Sequence, residues 1–311
     1  MGYPRIALLG NCQAKMLARI LKFLAPAVEV IRFPFHELAS RLPTREEVFR
    51  ELARFDLVYS QPFGPGLHPA VDGLMLQERF RSCFYFYPVV EFNAFHPDCV
   101  YIVRRDPHEF AKSPIGDYHS AIAFLGHSLG FTAERTLSLF TAEVFERLGY
   151  FRFWKVSEEV LLQQGRAIGF PLEPIYRSWV RRCPFMHSVN HPRLFVLADI
   201  ARTLLRQSGS EAVPSGPCRG NVENYFPDVG LFEAVWPIYP EIAEAMGLEG
   251  AYIFKSGCWL TGDLDDPFLT LRQFVERSYE FYRKEKPGAL KCPRIEEWDR
   301  NAPLLEYLRS R

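Results

Sequence analysis

A cysteine near the start of the chain is the residue best placed for chemistry. An apolar run over Ile6–Leu9 predicts a buried strand, and a helical pattern begins at Gln13. Cys12 therefore lies on the turn between the first strand and the first helix. The N–H groups and the positive dipole end at a helix N-terminus stabilise anions. We expect them to favour the thiolate of Cys12 or to hold a developing oxyanion.

The residues that flank Cys12 suit acyl chemistry. Gly10 lets a ligand approach the backbone closely, and the amides of Asn11 and Gln13 can donate hydrogen bonds to an oxyanion. In a competing interpretation, Cys12 is a small apolar residue packed into a tight turn. The polar neighbours on both sides favour the functional interpretation.

Two mid-chain segments each place a carboxylate two residues from a histidine. One contains His96 and Asp98, and the other contains Asp117 and His119. A thiol nucleophile or an acceptor hydroxyl needs a general base, most often histidine, and an aspartate can orient that base. Alternatively, Asp117 caps the following helix and His96 is a half-buried loop residue. We expect His119 or His96 to be the base, oriented by Asp117 or Asp98.

The elements that must position these residues alternate along the first hundred residues, which predicts a parallel α/β sheet. Ligands collect at the carboxyl ends of such strands, where Cys12, Gln61 and Arg104 would lie. A Thr44 cap with Glu47 three residues later predicts a helix start. The predicted strands are Ile6–Leu9, Val28–Phe33, Phe55–Tyr59, Cys83–Tyr87 and Cys99–Val103, and the predicted helices are Gln13–Leu24 and Thr44–Ala53.

The pattern becomes mostly helical after residue 110. We therefore predict a parallel sheet flanked by helices (α/β/α) in residues 1–110, and a largely helical portion in residues 111–311 that packs with it as one unit. The Pro/Gly/Ser-rich residues 208–220 predict a loop. Helices are expected over Ser120–Leu148, Ser157–Ile168, Pro192–Leu205 and Pro267–Lys284.

Two further motifs are weaker. Gly126–Gly130 matches the G-x-S-x-G nucleophile elbow, but an α/β-hydrolase needs a later histidine, and none follows His191. We therefore reject a hydrolase elbow. The segment His187–Pro192 is a polar cluster at the start of a predicted helix. Either Asn190 caps this helix, or the cluster belongs to a binding site.

Composition excludes several classes of function. The 311 residues carry 37 basic and 37 acidic side chains, so bulk charge does not indicate a nucleic-acid or membrane-surface protein. The seven cysteines show no CxxC spacing, and P-loop, GxGxxG and HExxH motifs are absent. No apolar run reaches the roughly 20 residues needed to span a bilayer, and no signal peptide is recognisable. We expect a soluble cytoplasmic protein without a metal.

Several of these motifs, taken together and in order, resemble the WcbI family of capsular-polysaccharide biosynthesis proteins, which are described as acetyltransferases. The resemblance covers most of residues 1–210. It rests on residues Gly10–Gln13, Gln61–Pro62, Phe95–Asp98, Gly116–Ser120 and Asn190–Pro192.

The resemblance implies a bacterial enzyme that uses coenzyme A or acetyl-CoA to acetylate a capsule sugar. The implied acceptor is a deoxy-heptose, and the implied partners are capsule-assembly proteins. It also implies a loose likeness to SGNH hydrolases, although Asn11-Cys12 replaces their Asp-Ser. Cationic side chains would hold the phosphates of CoA, although arginine clusters are more often solvated surfaces. The candidates are Lys15, Arg104, Arg105, Arg181 and Arg182.

The mechanism expected from these residues is acetyl transfer, either through an acetylated Cys12 or directly from CoA to the sugar. Gly10, Asn11, Gln13 and Gln61 would bind the oxyanion or the substrate. Two other functions use the same residues: a cysteine-dependent carbohydrate esterase, and a non-catalytic CoA-binding subunit. The mechanism requires the thiol and a mid-chain imidazole to act on the same substrate.

Overall fold

The structure is a computed structural model that describes residues 4–210, 222–257 and 267–311. Its strands are β1 (Arg5–Gly10), β2 (Glu29–Pro34), β3 (Leu57–Ser60), β4 (Phe84–Phe86), β5 (Cys99–Tyr101), β6 (Val103–Arg104), β7 (Glu109–Phe110), β8 (Tyr118–Ser120), β9 (Met186–Ser188), β10 (His191–Pro192), β11 (Ile253–Lys255), β12 (Phe268–Thr270) and β13 (Leu290–Lys291). Its α-helices are α1 (Gln13–Leu24), α2 (Phe35–Arg41), α3 (Arg45–Leu52), α4 (Gly73–Arg79), α5 (Ala121–Ser128), α6 (Ala133–Leu137), α7 (Ala142–Arg147), α8 (Phe153–Ala167), α9 (Leu172–Arg182), α10 (Leu194–Gln207), α11 (Pro240–Ala245), α12 (Leu271–Tyr282), α13 (Pro293–Trp298) and α14 (Ala302–Arg309).

The chain forms two compact units, and each unit is discontinuous in sequence. The single division predicted after residue 110 stays a prediction. The first unit comprises Met1–Glu91, Glu159–Phe185 and His191–Val229, and the second comprises Phe92–Glu158, Met186–Asn190 and Gly230–Arg311.

A four-stranded parallel sheet forms the centre of the first unit, in the order β2-β1-β3-β4. The first four predicted strands are confirmed, and α1 begins and ends at the predicted residues. The predicted capping box is also present, because the Thr44 hydroxyl accepts from the Glu47 N–H and the Glu47 carboxylate accepts from the Thr44 N–H. Short-range sequence patterns therefore predicted these elements correctly.

The strand order explains why helices cover both faces of this sheet. The chain moves from β1 to β2 through α1, then returns past β1 to β3 through α2 and α3. Right-handed crossovers in opposite directions place these helices on opposite faces. Ala7 and Leu9 pack with the apolar sides of α2, α3 and α4. The reversal between β1 and β3 opens a crevice at their carboxyl ends, which is where α/β proteins bind ligands.

The second unit contains antiparallel pairings and helices. The strand predicted over Cys99–Val103 was expected in the parallel sheet, and this expectation is wrong. The segment divides into β5, which pairs antiparallel with β8, and β6, which lies between β7 and β13 in an antiparallel sheet. An apolar run of five residues does not show whether its partner is parallel or antiparallel.

Three predicted helix boundaries are also corrected. The helix predicted over Ser120–Leu148 is three helices, because Gly130 takes a positive φ of 74° and new caps follow at Thr132 and Thr141. The last long helix begins only after Thr270, whose hydroxyl caps it. The helix predicted from Pro192 begins two residues later, at Leu194.

No helix within the three described ranges is long and apolar enough to cross a membrane. Cys83, Cys99, Cys183 and Cys292 are free thiols. Cys218, Cys258 and residues 211–220 of the predicted loop lie outside the described residues.

Candidate functional site

The turn after β1 presents the Cys12 thiol to solvent at the start of α1. The Asn11 carbonyl oxygen accepts from the Ala14 N–H at 3.1 Å, and its side-chain Oδ1 accepts from the Gln13 N–H at 2.9 Å. Asn11 thereby caps the helix, and Cys12, which has helical dihedrals (φ −56°, ψ −32°), belongs to its first turn. Because Cys12 is exposed, the interpretation as a buried packing residue is wrong.

The Gln61 side chain joins the ends of β1 and β3 and carries an unused donor. Its Oε1 accepts from the Asn11 N–H at 2.8 Å, so this bond identifies Nε2 as the other end of the amide. Gln61 is fully buried, and Nε2 has no hydrogen-bond partner among the described residues. An unsatisfied buried donor costs about 1–3 kcal/mol. A ligand oxygen at this turn would remove that cost.

Gly10 is required because other side chains occupy the space beside it. A Cβ at this position would lie 2.3 Å from the Tyr87 hydroxyl and 2.9 Å from Gln61 Oε1. The Tyr87 hydroxyl donates to the Leu9 carbonyl at 2.9 Å. The sequence predicted a glycine for close ligand approach and gave no sign of Tyr87, which follows β4. No local signal pairs a tyrosine with a glycine 77 positions earlier.

Gln13 connects the start of α1 to the segment after β4. Its Nε2 donates to the Val90 carbonyl at 2.9 Å, and its Oε1 accepts from the Val90 N–H at 3.1 Å. The nitrogen and the oxygen of this buried amide are therefore both hydrogen-bonded to the Val90 backbone. These bonds give Gln13 an anchoring role, whereas the sequence analysis placed it among the oxyanion donors.

His119, the first candidate for the base, is buried with both ring nitrogens engaged. Nε2 lies 3.1 Å from the Ala111 carbonyl, which can only accept, so Nε2 carries the proton. Nδ1 then accepts from the Tyr282 hydroxyl at 3.1 Å. Burial lowers the pKa of His119 to about 4. The ring lacks the available nitrogen that a general base needs.

Asp117 does not hydrogen-bond to the His119 ring, whose two nitrogens bond Ala111 and Tyr282. Its carboxylate instead forms an ion pair with Lys112 at the surface. The competing interpretation, that Asp117 caps the next helix, is wrong as well. The side chain that accepts the helix N–H is that of Ser120.

The buried His119 makes stability depend on pH. Its pKa is about 4 in the folded protein and near 6.5 when unfolded, so protonation favours unfolding. The free energy of unfolding should fall by about 3 kcal/mol as the pH drops from 6.5 to 4. Urea titrations across this range should show a flatter profile for His119→Gln. Identical profiles would contradict the lowered pKa of His119. The contributions of other titrating groups, such as Asp98, are the same in both proteins and cancel in the comparison.

His96, the second candidate, has a different hydrogen-bonding state. The ring is buried, and its Nδ1 lies 3.3 Å from the Pro237 carbonyl. Because a carbonyl only accepts, Nδ1 carries the proton and Nε2 carries the lone pair. This tautomer, with its orientation fixed through Nδ1, is the one that a histidine base uses.

Asp98 anchors the start of α5. Its carboxylate is fully buried and accepts from the Ile122 N–H at 2.9 Å, the Tyr150 hydroxyl at 2.7 Å and the Tyr239 hydroxyl at 2.8 Å. Burial raises the pKa of Asp98, although these hydrogen bonds oppose the rise. These contacts make Asp98 a structural residue of the second unit.

Three of the five cationic candidates are committed to carboxylates. Arg104 pairs with both Glu109 and Glu285, each at 2.8 Å. Arg104 also lies outside the parallel sheet, so its expected place at the carboxyl edge of that sheet is wrong. The other two committed arginines are Arg105, which lies 3.5 Å from Glu296, and Arg182, which lies 2.6 Å from Glu223.

Lys15 and Arg181 differ from those three arginines. Both are exposed in the first unit, and neither forms an ion pair with any residue that the structure describes. The Lys15 N–H donates to the Cys12 carbonyl at 3.1 Å, so Lys15 lies one helical turn beyond the thiol. Residues three apart share a helix face. Lys15 can therefore bring positive charge to a ligand of Cys12.

Two of the sequence motifs contact each other in the second unit. Asn190 does not cap α10; its Nδ2 donates to the Tyr101 hydroxyl at 2.8 Å, and its Oδ1 accepts from the Tyr118 hydroxyl at 2.6 Å. The capping alternative for Asn190 is therefore wrong, since the cap position of α10 is held by Arg193.

The rejected nucleophile elbow is indeed helical. Ser128 is the last residue of α5, and its hydroxyl donates to the Phe124 carbonyl at 2.9 Å. An elbow needs a sharp strand-to-helix turn with an exposed hydroxyl. The rejection is confirmed.

A thiol at the crevice of a parallel α/β sheet, beside a buried amide donor, defines a protein of the α/β class with a candidate acyl-transfer site. Residues 5–213 match the family described as "Polysaccharide biosynthesis enzyme WcbI". Since this match covers most of the chain, the protein belongs to the WcbI family, as the motifs predicted.

A solved structure shows the same fold. It is WcbI, described as a novel polysaccharide biosynthesis enzyme, in a native form without a disulfide bond between CoA and one of its cysteines. The two chains are 16% identical with a TM-score of 0.67, and the alignment covers 99% of this chain and 97% of that chain. This likeness supports the fold. No curated protein matches the chain.

Proposed function

We propose that this polysaccharide biosynthesis enzyme transfers an acetyl group from acetyl-CoA to a hydroxyl of a capsule sugar. The observation that carries the proposal is the exposed Cys12 thiol at a helix N-terminus, with the unsatisfied Gln61 Nε2 donor at the same turn. A thiol and an aligned amide donor are the two groups that acyl transfer needs. The association of WcbI with CoA supports a thioester as the acetyl donor.

In the first half of the reaction, the Cys12 sulfur attacks the thioester carbonyl. A bond forms between that sulfur and the acetyl carbon, and the carbonyl oxygen becomes an oxyanion. Gln61 Nε2 and the Asn11 side-chain amide donate to it, aided by the dipole of α1. The bond to the CoA sulfur then breaks, and the CoA thiolate takes up the proton that Cys12 released. Transfer of an acetyl group from one thiol to another is nearly thermoneutral.

In the second half, a sugar hydroxyl attacks the acetylated Cys12. The hydroxyl proton passes to a base, the new ester bond forms, and the Cys12 thiolate leaves and is reprotonated. We assign the base to His96, because its Nδ1 donates to the Pro237 carbonyl and the lone pair is therefore on Nε2, whereas burial lowers the pKa of His119 to about 4. Positioned base catalysis contributes typically 10²–10⁴-fold.

The phosphates of CoA need cationic partners, and Lys15 and Arg181 are the candidates whose charges are not already paired with a described carboxylate. Lys15 lies one helical turn beyond Cys12 on the same helix. Because acetyl-CoA is a cytoplasmic metabolite, we place the enzyme in the cytoplasm.

Calorimetric titration with CoA and acetyl-CoA tests the proposal. We expect both to bind, and we expect Lys15→Ala to weaken the binding of both, since it removes a charge beside the thiol. Lys22→Ala, an exposed lysine in the last turn of the same helix, is the matched control. Absence of binding by the wild-type protein would contradict a CoA-dependent transferase.

A further inference from the structure

Glu91 lies beside the Cys12 turn through the contacts of its neighbours. Gln13 holds Val90 by two hydrogen bonds of 2.9 and 3.1 Å, between the Gln13 side chain and the Val90 backbone. Cys12 precedes Gln13, and Glu91 follows Val90, each by one Cα step of about 3.8 Å. This buried contact therefore fixes the backbone of Glu91 close to the thiol-bearing turn.

The Glu91 carboxylate has no structural task in the described part of the chain. No described residue gives it a hydrogen bond or an ion pair, in contrast to surface glutamates such as Glu29, Glu51 and Glu173. Solvent reaches Glu91, yet the surrounding protein desolvates its carboxyl enough to raise its pKa. An exposed carboxylate without a protein partner is available to accept hydrogen bonds from a ligand.

The chemistry of a carboxylate decides which substrate it contacts. A carboxylate only accepts hydrogen bonds, and two neighbouring hydroxyls can donate to its two oxygens. The phosphates of CoA offer no such donors and would be repelled by the negative charge. Lys15, on the helix side of the turn, carries a positive charge and suits these phosphates instead. Glu91 therefore suits a neutral, hydroxyl-rich substrate.

We propose that Glu91 binds the carbohydrate acceptor. Its carboxylate accepts hydrogen bonds from sugar hydroxyls that neighbour the hydroxyl which attacks acetylated Cys12. This inference rests on the proposed acetyl transfer and adds a specificity-determining residue to the same site. Glu91 sets the affinity for the acceptor and leaves the first half of the reaction, the attack of Cys12 on acetyl-CoA, unchanged.

The test measures the two substrates separately. Binding of the methyl glycoside of a deoxy-heptose is followed by saturation-transfer NMR, and acetylation of Cys12 by acetyl-CoA is followed by intact-protein mass spectrometry. For Glu91→Gln and Glu91→Ala we expect at least a tenfold weaker binding of the glycoside, with unchanged acetylation. Glu91→Asp should restore part of the affinity. Glu46→Gln, an exposed glutamate of the same unit, is the control.

The outcomes separate this inference from the proposed function. Equal glycoside affinity of the wild type and Glu91→Gln, or no glycoside binding by the wild type, overturns the role of Glu91 even where Cys12 is acetylated. Loss of Cys12 acetylation in Glu91→Gln overturns it too, because the residue would then act in the first half. If the wild type binds glycoside through Glu91 and is never acetylated, the acetyl-transfer proposal fails and the carbohydrate site stands.

Discussion

Replacement of Cys12 by alanine should lower kcat for acetyl transfer by at least about a thousandfold, because the covalent route loses its nucleophile. Cys12→Ser keeps the shape of the side chain but presents a hydroxyl, which is a far weaker nucleophile at neutral pH, and it should be nearly as inactive. Both variants should still bind CoA, since the exposed thiol contributes little packing. Steady-state transfer assays with calorimetry measure the two effects.

The matched control for this substitution is Cys183→Ala. Cys183 is a half-buried free cysteine of the same unit that follows α9, and its loss should leave transfer unchanged. Transfer by Cys12→Ala at close to the wild-type rate would show that acetyl passes directly from CoA to the sugar. Transfer lost together with folding, monitored by circular dichroism, would show a structural role instead.

The second large effect is expected at Gln61. Gln61→Leu removes the unsatisfied Nε2 donor and should lower kcat by about 10²–10³-fold, as loss of one oxyanion-hole donor does. The KM for acetyl-CoA should change little, because the donor acts on charge that develops in the transition state. Pre-steady-state acetylation of the protein measures this step directly.

Gln61→Glu tests whether the side chain at position 61 must carry a hydrogen-bond donor. A glutamate retains an oxygen that can accept from the Asn11 N–H, so the turn keeps its hydrogen bond. It replaces the donor with a negative charge, which opposes an oxyanion. We therefore expect Gln61→Glu to be at least as inactive as Gln61→Leu, and less stable than the wild type because burial disfavours a charged carboxylate at position 61. A fully active Gln61→Glu would remove Gln61 from the oxyanion site.

Local sequence patterns were sufficient to predict the parallel sheet of the first unit and the thiol-bearing turn. Strand β1 is a short apolar run, α1 has a regular apolar stripe, and the Thr44–Glu47 capping box is a local signal. The reversal between β1 and β3 then brings the turn and Gln61 together, as the carboxyl-edge rule predicted. These features depend on residues that are close in sequence or on a general rule of sheet topology.

The remaining features depend on distant residues. Whether His119 can act as a base is decided by Tyr282, 163 positions later, and by the Ala111 carbonyl. The need for a glycine at position 10 is set by Tyr87, and the pairing of Arg104 by Glu285. A periodicity or a spacing does not contain such contacts. This is why the pattern placed the exposed Cys12 on its turn correctly but did not show the contacts of His119 or Arg104.

The most direct test of the central claim is the mass of the protein after rapid mixing with acetyl-CoA in the absence of acceptor. We predict an increase of about 42 Da, the mass of one acetyl group in place of a hydrogen. Peptide mapping should locate this increase at Cys12, and it should disappear when the deoxy-heptose glycoside is added. A protein that binds acetyl-CoA and acetylates the glycoside, yet never carries acetyl on Cys12 at any quench time, would contradict the account.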